Sequence, residues 1–113
     1  MLVDIKKVKI FVTTPPENTE SIRNAVCSLG AGVIGNYTFC TTSTTSTGTF
    51  LPNENANPHI GKINNLEFVQ EDKLEFVCDI ELVPVILSAL RKAHPYEEPA
   101  IDIVPLLDES SFY

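Results

Sequence analysis

The chain has 113 residues and a formal net charge of −7, with eight Lys and Arg against fifteen Asp and Glu. That length supports one hydrophobic core, and a hydrophobic content of 43% is too high for a disordered segment, so residues 1–113 read as one domain. A nucleic-acid surface needs clustered cationic side chains to displace counterions, so this balance excludes that class and favours a cation over a phosphate-rich ligand.

Lys6 to Thr13 alternates apolar and polar residues, with Val8, Ile10 and Val12 on one face of a first strand. Thr14-Pro15-Pro16-Glu17 has the form of a helix start: Thr14 as cap, Pro15 in the first turn and Glu17 closing a capping box. Ile22, Ala25, Val26 and Leu29 then follow at helical spacing, and Gly30 suits a left-handed stop. Tyr37 to Cys40 opens a second strand on which Cys40 shares a polar face with Thr38 and Thr42. The threonine-rich run Thr41 to Thr49 predicts a hairpin arm with a mobile tip around Thr44 to Gly48 and a return at Phe50-Leu51. Pro52 to Pro58 is turn-forming. Leu66 to Gln70 and Lys73 to Cys78 read as two extended segments separated by a bend at Glu71-Asp72. A second helix spans Val83 to Ala93 with Val83, Ile86, Leu87 and Leu90 as its stripe, admitted by Pro84 in its first turn and ended by Pro95. Ile101 and Ile103 mark a last strand closed by Pro105, and residues 108–113 form a loose tail. Two helices on one face of an antiparallel sheet make a ferredoxin-like α+β layout with a long hairpin arm.

Two motifs carry chemical suggestions. Gly30-Ala31-Gly32-Val33-Ile34-Gly35 matches G-x-G-x-x-G, but it follows a helix and precedes a strand. Pyrophosphate binding needs the opposite order, so the glycines read as a helix stop and a tight turn. His94-Pro95-Tyr96-Glu97-Glu98-Pro99 is a different matter. Its prolines stiffen a short turn in which Tyr96, Glu97 and Glu98 have fixed directions. The carboxylates add to the negative end of the preceding helix, and a cation would offset that charge. His94, Tyr96, Glu97 and Glu98 are therefore the candidate ligand-binding residues. If the ligand is a divalent metal, His94, Glu97, Glu98 and Cys40 supply imidazole, carboxylate and thiol donors suited to zinc or copper. The plainer reading places His94 against the helix end and the glutamates in water or at a subunit contact. His59 reads as a surface residue of the Asn57-Pro58 turn. Cys27, Cys40 and Cys78 form no C-x-x-C pair, and three thiols without a secretory leader point to a reducing, cytoplasmic compartment. No apolar run approaches the ~20 residues that cross a bilayer. No serine elbow, H-E-x-x-H or other catalytic set is present.

Several segments together resemble one family. Ile34-Gly35-Asn36-Tyr37, Cys40, Thr47-Gly48-Thr49-Phe50, Asn57-Pro58, Ile60-Gly61 and His94 to Pro99 occur in that order in the short YqfO-like proteins. These resemble the PII/CutA-like module inserted into the larger dinuclear-metal YqfO proteins. The resemblance implies a PII/CutA-like, ferredoxin-like fold and homo-oligomers, with trimers favoured. The chain lacks the flanking domains that hold the two metals in the larger proteins, so that site and any hydrolase activity do not carry over. The expectation is a non-enzymatic sensor or binding module whose subunit clefts take a small ligand or divalent cation. The alternative is a structural domain that binds a protein partner through its hairpin arm; a metal-dependent enzyme ranks last.

Overall fold

The computed structural model describes residues 4–113. Strand β1 (Lys7–Thr14) lies in the interior of a four-stranded antiparallel sheet, between β3 (Glu67–Asp79) and β4 (Ile101–Leu106). Strand β2 (Thr41–Phe50) pairs with the far side of β3, so β2 and β4 are the sheet's edges. Helices α1 (Thr19–Cys27) and α2 (Val83–Ala93) cover one face. Val8, Ile10 and Val12 of β1 and Leu74, Phe76 and Cys78 of β3 point at them and pack with Ile22, Val26, Ile86 and Leu90. The alternation visible in each strand thus puts its apolar half into the core, and the result is the expected ferredoxin-like α+β fold.

Three local expectations are corrected. The first helix does not start at Thr14. Pro15 precedes a proline and is held extended at ψ 138°, so Thr14 ends β1, a 3-10 turn fills Pro16–Asn18, and no side chain caps α1. On α1, Ile22 and Val26 are buried as expected and Cys27 takes a core place, but Leu29 lies past the helix end and is exposed. The second strand begins at Thr41 and not at Tyr37, because Phe39 adopts φ 58° and breaks the extended run.

The hairpin arm exists, but its composition differs from the prediction. Thr41 to Phe50 is a single ten-residue strand with no tip inside it, and Thr44 to Gly48 pair with Lys73 to Val69. The predicted bend at Glu71-Asp72 is likewise absent: β3 runs unbroken through 13 residues. Residues 51–66 are the true connection. Since β1 stops opposite Asp72, the outer half of the β2–β3 ladder projects beyond the rest of the sheet. Helix α2 has the bounds its prolines predict, with His94 extended at ψ 133°. Residues Glu109–Phe112 close the chain as an exposed 3-10 turn.

Candidate functional site

The turn after α2 crosses the end of β1 on its way to β4, where the projecting ladder leaves the sheet. His94 is the pin of this turn. Only 6% of it is exposed. The Tyr96 backbone N–H donates to its Nδ1 at 3.1 Å, so the proton sits on Nε2, which donates to the Thr13 carbonyl at 2.7 Å. Burial pushes the His94 pKa below its ordinary value, opposed by the Thr13 carbonyl and by Glu71. Both ring nitrogens are engaged by the fold itself.

Pinning His94 aims Tyr96 at β3. Its hydroxyl donates to Glu71 Oε2 at 2.8 Å, and burial followed by this carboxylate drives the phenol pKa well above its normal value, so it stays a donor. Glu71 is 6% exposed although it lies on the face of the sheet away from the helices. Gly48, on the neighbouring strand, makes room for it: a Cβ there would collide with Glu71 Oε1. On the far side, the connection after β2 folds back, and the Asn57 backbone N–H donates to Glu97 Oε2 at 2.9 Å. The His59 and Tyr96 rings lie 6.2 Å apart.

A cleft of about 490 Å³ opens between these two segments. Tyr96, Glu97 and Glu98 line it, as does the buried Glu71. His94 is absent from its wall and stands behind Tyr96. Cys40 is absent too: it borders a separate depression of about 170 Å³ with Lys9, Thr42 and Glu75. The expected donor set of His94, Glu97, Glu98 and Cys40 is therefore not assembled within one subunit. Among the described residues no three His, Cys, Asp or Glu side chains converge as a metal cage. His94 does not fit as a ligand, because metallation would cost the hydrogen bonds that shape the turn.

The sequence singles out Gly48 and parts of the 51–60 segment, but not their place at the cleft, and it gives Glu71 no role there. The alternation of β3 signals that Glu71 faces away from the helices, but not that a tyrosine 25 residues on covers it. All three cysteines are free, and burial raises the Cys27 and Cys78 thiol pKa values, which suits core residues. No described helix is long and apolar enough to cross a membrane.

No family model matches the chain. A GTP cyclohydrolase 1 type 2 homolog from Halalkalibacterium halodurans is 46% identical over 101 residues, covering 89% of this chain and 27% of that protein. The chain matches one module of a longer protein. It spans about a quarter of the length of such relatives, which include the Bacillus subtilis homolog at 40% identity, 90% coverage of this chain and 27% of that protein. Among solved structures, a Bacillus cereus protein related to NIF3 superposes with a TM-score of 0.79 at 38% identity, over 90% of this chain and 26% of that one. The fold also recurs as a free-standing unit. CutA from Synechococcus elongatus matches with a TM-score of 0.70 at 12% identity, over 98% of this chain and 87% of its own.

Proposed function

We propose that the chain is a non-enzymatic, homo-oligomeric binding module whose ligand site is the cleft between the 51–60 connection and the 94–100 turn. The observation that carries this reading is the preparation of the cleft floor. Glu71 is buried there with one oxygen held by Tyr96, and Tyr96 is held by a histidine whose own bonds are satisfied. A carboxylate enclosed on most sides, with one oxygen bonded to Tyr96 and the other left open, is the kind of group found at a site. The volume is that of a small-molecule pocket. A divalent cation in this cleft would meet Glu97 and Glu98, while His94 and Cys40 serve other contacts. Trimeric assembly, cytoplasmic residence and the unity of residues 1–113 as one domain complete the proposal.

The test is a fragment screen followed by the amide spectrum of labelled protein. Binders should move resonances of residues 50–60 and 94–100 together. Shifts confined to the exposed arm, with none at the cleft, would favour the protein-docking alternative, for which Leu66 and Phe68, 58% and 68% exposed, provide an apolar surface.

A further inference from the structure

The walls of the cleft divide by chemistry. Phe50, Leu51, Pro52 and Ile60 make the wall along the returning connection mainly hydrocarbon, with Asn53 and His59 set among them. The opposite wall and floor carry Glu71, Glu97 and Glu98, and no Lys or Arg is among the lining residues. Glu71 supplies the sharpest observation. It is more than nine-tenths buried, Oε2 accepts from Tyr96, and among the described residues nothing donates to Oε1, which rests over the bare Gly48 backbone. The described ion pairs, Lys7 with Asp79 and Lys9 with Glu75, lie elsewhere on the sheet. A buried carboxylate with an open acceptor position, in a pocket without a fixed cation, is complementary to a ligand that brings its own positive donor.

We infer that the cleft takes a small organic cation: a primary ammonium or guanidinium head bound to Glu71 Oε1, carried on an apolar body that lies against the Phe50–Ile60 wall. This rests on the reading of the cleft as a ligand site. The two walls together select the class. A hydrated metal ion gains nothing from the hydrocarbon side, and a neutral apolar molecule leaves the carboxylate unpaired. An anion meets three glutamates. The Tyr96 ring, tilted against His59 at the cleft, adds a π face beside the charged head. The rigid turn fixes Glu71 in advance, so little ordering remains to be done on binding.

A matched charge series tests the inference on the intact protein. 2-Phenylethylamine, 2-phenylethanol and 3-phenylpropionate share a body and differ in the head, and each is titrated at pH 7.5 with cleft amide shifts as readout. The amine should bind at least about 10-fold more tightly than the alcohol, the discrimination expected of one charged hydrogen bond, and the carboxylate weakest. Glu71→Gln keeps an acceptor for Tyr96 and should bring amine and alcohol to within about 2-fold of each other. Should that variant misfold, the exposed Glu98→Gln should still narrow the gap, and the wild-type series decides in either case. Equal affinity for amine and alcohol, or preference for the carboxylate, would overturn the organic cation and leave the cleft standing as a ligand site. Zinc chloride moving the same resonances at lower concentration than the amine would also overturn it, in favour of a metal. No cleft shift with any of these probes would overturn both the inference and the reading beneath it.

Discussion

His94 shows how one side chain can be essential to a site without touching a ligand. Its two nitrogens close bonds to groups on different elements, the end of β1 and the 94–100 turn, and both bonds require the neutral ring with its proton on Nε2. Truncation removes the partners of a part-buried carbonyl and a part-buried N–H, each worth roughly 1–2 kcal/mol, so His94→Ala should lose about 2–4 kcal/mol in chemical denaturation. The same bonds make a pH signature. Because burial lowers the folded-state pKa below 6.5, the unfolded chain takes up the proton first, and stability falls as pH drops from 6.5 toward the lowered value. Thr13 and Glu71, which favour the proton, and His59, which disfavours it, are the groups that set how far the window extends. Melting wild type and His94→Ala between pH 7.5 and 5.5 should show a declining midpoint in the first and a flatter one in the second. Parallel curves would mean that His94 titrates no differently folded than unfolded.

At the scale of elements, the strands β2 and β3 are built around Glu71. A glycine inside a threonine-rich strand weakens it and suggests a turn, which is how Gly48 reads in the sequence. In the fold it is an ordinary ladder residue opposite Val69, and its missing side chain is the space that Glu71 fills. Gly48→Ala should therefore destabilise by about 1–2 kcal/mol despite the better strand propensity of alanine. Much of that loss should vanish in a Tyr96→Phe background, where the carboxylate is already free to move. Additive losses in the double mutant would remove the proposed coupling. Here too lies the boundary of what could be read from sequence. Helix α2 was legible to the residue because Pro84 and Pro95 constrain the backbone locally, and the core faces of β1 and β3 followed from alternation. The 94–99 turn stood out by its rigidity. The pairing of Tyr96 with Glu71 and the return of residues 51–60 against Glu97 are contacts across 25 and 40 residues, and no periodicity encodes them.

The whole molecule is drawn out by its arm. Its extents are 52 × 31 × 24 Å and its radius of gyration is 15.8 Å, against roughly 13 Å for a compact chain of this length. A projecting two-stranded ladder is marginal alone in water, and β2 presents an unpaired ten-residue edge. The face of the sheet away from the helices mixes charge with apolar residues: Lys73 sits 5.1 Å over the Phe11 ring, Val77 is half-buried, and Val104 is 43% exposed. A second copy of the chain that covers this face would bury Val104, and one that also wraps the arm would cover Phe68 on the arm's other side; cyclic closure around the arms would leave no edge free. We therefore expect light scattering at micromolar concentration to give roughly three times the 12.5 kDa chain mass. Val104→Glu and Phe68→Ser place polar groups where the subunit itself is already open to water, so each should leave the fold intact and shift the mass toward monomer. A wild-type protein that scatters only as monomer would remove the assembly, full assembly of Val104→Glu would move the contact away from this face, and full assembly of Phe68→Ser would move it away from the arm.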